Sequence, residues 1–116
     1  MTQLKVSTND AAHGELGQKY LVTGEHIALR LWENEQPGAP KEAVARPYET
    51  VGYVLQGRAE LILEGQTLSL EPGDSWVVPH QAVHSYHILE AFTAVEATHP
   101  PAQQAHADAQ SIQVQA

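Results

Sequence analysis

The sequence predicts an all-β chain that folds as one antiparallel barrel or sandwich of the jelly-roll type. Apolar and polar residues alternate with a period of two over much of residues 20–97, and turn-forming residues interrupt the alternation at short intervals. Helical periodicity is weak throughout. A count of about eight short strands suits a jelly roll. The 116 residues provide for a single domain with one core.

The first half of the barrel region contains two clear strand patterns. Over residues 27–32, three apolar side chains alternate with Ala28, Arg30 and Trp32, which predicts a strand with one apolar face. The sequence Gln-Pro-Gly-Ala-Pro at residues 36–40 then predicts a loop. A second strand is predicted over residues 51–55, and we place its Tyr53 and Leu55 on the outer face of the barrel.

The second half shows the same alternation in shorter segments. Turns are predicted at residues 64–66 and 71–74, because glycine tolerates positive φ and Pro72 fixes its own φ. The apolar segment before Pro79 is short and ends there. Further strands are predicted over residues 58–64, 68–70 and 76–78, with two more within residues 85–96.

Three sections follow from this pattern: an N-terminal extension at residues 1–19, the barrel at residues 20–98 and a polar tail at residues 99–116. The tail has five glutamines, five alanines and a single charged residue, Asp108. This composition favours a loosely ordered segment. The alternative is that residues 111–114 pair as an edge strand, including on a partner subunit.

Composition excludes several functional classes. Fourteen acidic residues against six basic ones give a net charge of −8, which disfavours binding to nucleic acid. No apolar run approaches the length of a membrane span. The absence of cysteine excludes disulfides and thiol catalysis. The N-terminus has no apolar stretch after Lys5, so we expect no secretory signal and a cytoplasmic protein.

Two segments together resemble the two signatures of the cupin superfamily. Residues 73–84 contain the Gly-x5-Pro and Pro-His-x-x-x-His elements of the second signature, with Gln81 where the family has glycine and Ile88 where it has asparagine. The Tyr-Val-Leu-Gln-Gly sequence at residues 53–57 resembles the end of the first signature. The resemblance covers residues 27–95 and implies a small, single-domain conical barrel with a ligand in its mouth.

In most cupins, three histidines and an acidic residue or glutamine hold a divalent metal in that mouth. The family register places Val44, Arg46 and Thr50 at three of these positions, and only His84 remains. One imidazole does not hold a divalent ion tightly, because affinity comes from several preorganised donors. We therefore expect the usual metal site to be lost and no cofactor to be bound.

A rebuilt divalent metal site is the alternative. It would combine His84 with His80 and Glu49, although strand alternation points Glu49 to the face opposite Thr50. A bulge near Pro47 would be needed to reverse that direction.

The same register suggests an anion site. It directs the guanidinium of Arg46 into the cavity, where it would favour a ligand carrying carboxylate or phosphate; the alternative is that Arg46 pairs with surface glutamates. Tyr48 and Tyr86 share the inward register with Arg46 and His84, and their phenols would orient a small ligand. We predict ligand contacts from Arg46, Tyr48, Thr50, His84 and Tyr86.

Three functions follow from the resemblance. We expect a homodimeric cupin that binds a small, anionic molecule without metal. The second possibility is a metal-dependent enzyme of the dioxygenase or isomerase type with an unusual ligand set, and the third is a dimerisation or sensing module. An arginine and a histidine facing one cavity disfavour the charged form of the histidine, so we expect His84 to be neutral and hydrogen-bonded.

Overall fold

A computed structural model describes residues 3–104, which form an all-β, antiparallel jelly-roll barrel. Within that range seven strands are hydrogen-bonded in the order β1-β2-β3-β7-β4-β5, and β6 pairs with β4 beside β5. A short 3₁₀ turn at Thr8–Asp10 precedes them. The strands are β1 Ala12–His13, β2 Lys19–Thr23, β3 Ala28–Glu35, β4 Glu49–Leu63, β5 Gln66–Leu70, β6 Ser75–Val78 and β7 His84–His99.

Strands β4 and β7 are long and bent, which corrects the sequence prediction. Residues 51–55 and 58–64 were expected as two strands but belong to one, and residues 85–96 likewise form one strand rather than two. The pairing register between β4 and β7 shifts repeatedly between Val54 and Ala59. Bulges of this kind bend a strand while the hydrogen-bonded ladder continues on both sides. Each long strand therefore serves both halves of the barrel.

Glycines at the bend and in the hairpin permit this path. Gly57 has a φ of +82°, and a Cβ there would overlap the carbonyl of Ala91 on β7. The predicted turn after β4 is confirmed: Glu64 and Gly65 both have positive φ, at 47° and 82°. Two consecutive residues with positive φ match the right-handed twist of a hairpin.

The barrel interior is packed by apolar side chains from the long strands and their neighbours. Leu61 and Ala94 have no exposed surface, and Trp76 packs beside Gly52, its partner across the β4–β6 ladder. The buried core comprises Val54, Ala59, Leu61, Leu70, Trp76, Val78, Ala82, Ile88, Phe92 and Ala94.

The face of strand β3 that carries Arg30 and Trp32 points into the barrel. Arg30 is buried at 6% exposure and Trp32 is half-buried, whereas Ile27, just before the strand, is 54% exposed. The opposite, apolar face is covered as well within the strand, because Leu31 is buried at 9% exposure. Tyr53 and Leu55 are about half exposed on the outer face of β4, as the sequence predicted.

The segments flanking the barrel also contact it. Strand β1 pairs with β2, so part of the predicted N-terminal extension joins the sheet. Near the other end, Ala102 is buried and its N–H donates to the Thr98 hydroxyl at 2.8 Å. Residues 105–116, with the edge strand suggested for 111–114, lie outside the described residues. No helix between residues 3 and 104 is long and apolar enough to cross a membrane.

Candidate functional site

The barrel contains a cavity of about 240 Å³ that opens beside the loop between β3 and β4. Its walls combine aromatic and aliphatic surface with charged groups. We call its most buried polar residues, Arg30, Tyr48 and Glu96, the floor, and the more exposed Lys41 and Glu42 the mouth. The other lining residues are Leu16, Trp32, Glu35, Val44, Arg46, Trp76, His84, Ser85, Tyr86, Ile88 and Phe92.

A buried ion pair forms the floor. Arg30 and Glu96 are partners across the β3–β7 ladder, and the Nε of Arg30 donates to Oε1 of Glu96 at 2.7 Å. The indole Nε1 of Trp32 donates to the same oxygen at 2.6 Å. The Nη1 of Arg30 donates to the hydroxyl of Tyr48 at 3.2 Å. The carboxylate charge is therefore compensated by one cation and one further donor.

Aromatic rings hold the Arg30 guanidinium in place. Its central carbon lies 5.3 Å from the ring centroid of Trp32 and 5.3 Å from that of Tyr48. Both distances are within the range of a cation–π interaction. Because the guanidinium is fixed by rings and by hydrogen bonds, the Glu96 carboxylate beside it is fixed as well.

The loop after β3 lies against the start of β7 and carries Arg46 to the cavity. Val44 and His84 exchange two backbone hydrogen bonds of 2.9 Å, and the N–H of Lys41 donates to the carbonyl of Tyr86 at 2.9 Å. The carbonyl of Arg46 accepts from the N–H of Gln81 at 3.0 Å. These contacts fix the loop backbone, so Arg46 is held next to His84 at the cavity wall.

His84 is half-buried and oriented by the backbone. Its Nδ1 lies 2.9 Å from the carbonyl oxygen of Ala82. Since a carbonyl only accepts, we assign the proton to Nδ1, which leaves Nε2 as an acceptor in the neutral ring. Burial lowers the pKa of His84, and the positive charges of Arg46 and Arg30 lower it further, against opposing effects of Ala82 and Glu96. His84 is thus neutral at neutral pH.

Tyr86 stands two residues along β7 on the same face as His84. Its hydroxyl oxygen accepts from the indole Nε1 of Trp76 at 3.3 Å. Its ring contacts both neighbours edge-on, with centroids 6.5 Å from Trp76 and 5.7 Å from His84. Burial and the nearby Glu96 carboxylate raise the pKa of Tyr86, so its hydroxyl keeps its proton.

Four of the five predicted ligand-contacting residues line the cavity together: Arg46, Tyr48, His84 and Tyr86. Thr50 is buried on β4 between Thr98 and Val78 and is not part of the lining. Of the residues named for a rebuilt metal site, Glu49 and His80 are exposed and outside the lining, and only His84 faces the cavity.

The donors around His84 do not fit the divalent metal that the resemblance implies. Val44, an apolar residue, is paired directly with His84, and Arg46 brings a positive charge to the same wall. Metal sites of this type need three or more nitrogen or oxygen donors from the protein. Across residues 3–104, no group of three or more histidine, aspartate or glutamate side chains is placed to share one ion.

Sequence reasoning missed the floor of the cavity. The predicted site residues did not include four residues that line the cavity: Arg30, Trp32, Trp76 and Glu96. A signal was present in the alternation. A charged residue flanked on both sides by apolar ones in a strand, as in Leu-Arg-Leu and Val-Glu-Ala, indicates a charge directed opposite to its apolar neighbours.

Comparison with known proteins agrees with this architecture. Residues 31–97 match the profile of the family described as cupin domain. The structure of KdgF from Halomonas sp. is 24% identical, with a TM-score of 0.71 over 86% of this chain and 94% of that chain. An RmlC-like cupin from Shewanella frigidimarina is 17% identical, with a TM-score of 0.74 over 85% and 92% of the two chains.

A third solved structure is similar over a smaller region. Salicylate 1,2-dioxygenase from Pseudoaminobacter salicylatoxidans is 21% identical, with a TM-score of 0.60 over 65% of this chain and 20% of that chain. At these identities the likenesses establish the fold alone. No curated protein matches the sequence.

Proposed function

Because this chain belongs to the cupin superfamily, we propose that its barrel cavity binds a small anionic molecule and does so without the divalent metal usual in the family. The observation that carries the proposal is the pairing of His84 with Val44, together with the position of Arg46 in the lining of the same cavity. A guanidinium takes the place of a metal cation as the source of positive charge there. Arginine recognises carboxylate and phosphate through paired hydrogen bonds.

The dimensions of the cavity restrict the ligand. A volume of about 240 Å³ corresponds to roughly eight water molecules at the density of the liquid. This is below the usual range for drug-sized ligands. The proposed ligand is therefore a small acid or a small phosphorylated molecule, with its charge near Arg46 and its apolar atoms against Ile88 and Phe92.

Thermal unfolding in the presence of small organic acids and inorganic phosphate tests this proposal. A ligand that binds only the folded state raises the melting temperature, and the stabilisation grows with the logarithm of the ligand concentration above its dissociation constant. We expect stabilisation by at least one anion with metal removed, and Arg46→Ala to abolish it. The matched control is Arg58→Ala, which removes an exposed arginine paired with Glu90 outside the cavity. Unchanged anion binding by Arg46→Ala would overturn the proposal.

A metal-dependent enzyme of the dioxygenase or isomerase type remains the second candidate, and the orientation of His84 favours it. An imidazole that donates Nδ1–H to a carbonyl presents Nε2 in the manner of a metal ligand. Elemental analysis of protein purified without chelators, before and after incubation with iron, manganese or zinc, decides between the two. A near-stoichiometric metal would favour the enzyme.

We also propose that the protein forms a homodimer through the outer face of β4 and β6. Val51, Tyr53, Leu55 and Val77 are 45–49% exposed there, and Val51 and Val77 are direct partners across the ladder. Pairing of two identical apolar faces is the commonest way to cover such a surface. Sedimentation equilibrium should find a dimer that Tyr53→Lys converts to a monomer.

A dimer that binds neither anion nor metal would support the third candidate function, a dimerisation or sensing module.

A further inference from the structure

Within the described part of the chain, hydrogen bonds reach only one of the two oxygens of the Glu96 carboxylate. The side chain is buried, with 2% exposure, and both of its donors, Arg30 Nε and Trp32 Nε1, bind Oε1. Among residues 3–104, no donor reaches Oε2. A carboxylate oxygen away from bulk water has a strong requirement for a hydrogen bond, and leaving it without one costs free energy.

Oε2 keeps access to the cavity. Within the described part of the chain, the only fully enclosed side-chain nitrogen or oxygen that lacks a partner is Oε1 of Gln103. Oε2 of Glu96 lacks a partner there too but is not fully enclosed, so it retains some accessible surface. Glu96 itself lines the cavity. Its second oxygen therefore takes its hydrogen bond from whatever occupies the cavity, which is water in the absence of a ligand.

Two further groups on the wall have unused hydrogen-bonding capacity. The Nε2 of neutral His84 is an acceptor with no partner among residues 3–104, because the ring's one hydrogen bond is through Nδ1. The Tyr86 hydroxyl accepts from Trp76 and finds no acceptor for its own proton in that part of the chain. The cavity thus offers two acceptors and one donor to a ligand, in addition to the cation at Arg46.

We infer that Glu96 determines ligand specificity by accepting a hydrogen bond from a hydroxyl group, so that the ligand is a small hydroxy acid. This inference rests on the proposed anion-binding function. The acid group lies near Arg46, and the hydroxyl group reaches Oε2 at the floor. A second carboxylate cannot take the floor position, because it would meet the negative charge of Glu96 without a proton to share.

An ammonium group is also disfavoured at the floor. The Arg30 guanidinium, 2.7 Å from the other oxygen of the same carboxylate, would repel it. A neutral donor satisfies Oε2 without adding charge to a buried pair that is already balanced. A hydroxyl group can in addition accept from Tyr86 while it donates to Glu96 or His84, so it engages the donor and one of the two acceptors.

Matched pairs of acids that differ by one hydroxyl group test the inference with the unmodified protein. Isothermal titration calorimetry compares lactate with propionate and malate with succinate. Because a hydrogen bond to a charged acceptor is at stake, we expect at least one hydroxy acid to bind about tenfold or more tightly than its partner. Equal affinity within every pair that binds would overturn the inference while leaving anion binding intact.

Glu96→Gln identifies the residue responsible. Its amide keeps the shape of the side chain and loses the anionic acceptor, so we expect the preference for the hydroxy acid to disappear. Glu90→Gln, a matched change at an exposed site outside the cavity, should keep the preference. A preference that survives in folded Glu96→Gln would overturn the assignment. If Glu96→Gln does not fold, the matched pairs still decide the presence of the preference.

A neutral polyol separates the inference from the function on which it rests. If glycerol or erythritol binds in a way that depends on Glu96 and no acid binds, the claim that the ligand is an anion is overturned. The claim that Glu96 accepts a hydrogen bond from a ligand hydroxyl group is then retained. Failure of every acid and polyol to bind would overturn both.

Discussion

Arg30 and Glu96 sit opposite each other on adjacent strands and form an ion pair that closes the floor of the cavity, 2.7 Å from Nε to Oε1. They are 66 residues apart in the chain. Both side chains are at least nine-tenths buried. Burial of two charges is costly, and the pair is tolerated because Trp32 and Tyr48 satisfy additional hydrogen bonds of the carboxylate and the guanidinium.

Removal of one member of this pair should destabilise the fold strongly. In Glu96→Ala the Arg30 guanidinium remains buried without its counterion, and we expect the free energy of unfolding to fall by about 3–5 kcal/mol. Arg58→Ala, at the exposed pair with Glu90, should change it by about 0–1 kcal/mol. Urea unfolding of both variants provides the measurement. Equal, small losses in the two variants would contradict a buried role for Glu96.

His84 should make the fold less stable in mild acid. Burial lowers its pKa in the folded state, whereas in the unfolded chain the imidazole takes up its proton near pH 6.5. Below that pH the unfolded state binds more protons, so the free energy of unfolding falls as the pH drops towards the folded-state pKa.

The His84→Gln variant should remove this part of the pH dependence. Urea unfolding at about pH 7.5 and pH 5 gives the two free energies needed for the comparison. His80→Gln, which removes an exposed histidine four residues before β7 begins, is the matched control. A loss of stability in acid that is identical in the parent and in His84→Gln would show that other groups cause it.

Gly52→Ala should disturb the wall of the cavity. A Cβ at position 52 would overlap the indole of Trp76, and overpacking of this kind costs about 1–3 kcal/mol. Displacement of Trp76 would also weaken its hydrogen bond to Tyr86, so the tryptophan emission should change. Gly38→Ala, at a loop position with open space around it, should leave both stability and emission nearly unchanged.

Leu61→Ala should report on the packing of the core. Leu61 has no exposed surface, and its truncation should lower the free energy of unfolding by about 2–5 kcal/mol. Leu68 is its partner across the β4–β5 ladder but is 38% exposed. Leu68→Ala is therefore the matched control, and it should lower the free energy of unfolding clearly less than Leu61→Ala does. Similar losses would mean that the two leucines are equally buried.

Local chemistry made much of the fold predictable from the sequence. The turn at Glu64 and Gly65 needs residues that tolerate positive φ, and these are present. The outward direction of Tyr53 and Leu55 follows from the two-residue period of a strand. The alternation did not reveal that the strand continues through Gly57. Whether a register shift ends a strand or bends it depends on pairing with β7, which is distant in sequence.

The sequence by itself determined an all-β jelly roll, its main turns and four side chains that line the cavity, because strand periodicity and motif spacing are local properties. Only the tertiary structure decided which face of β3 turns inward and which charge lies opposite Arg30. Both depend on the placement of β3 beside the far end of β7. The hydrogen bond that orients His84 and the free oxygen of Glu96 were likewise decided there, since hydrogen-bond partners depend on three-dimensional proximity.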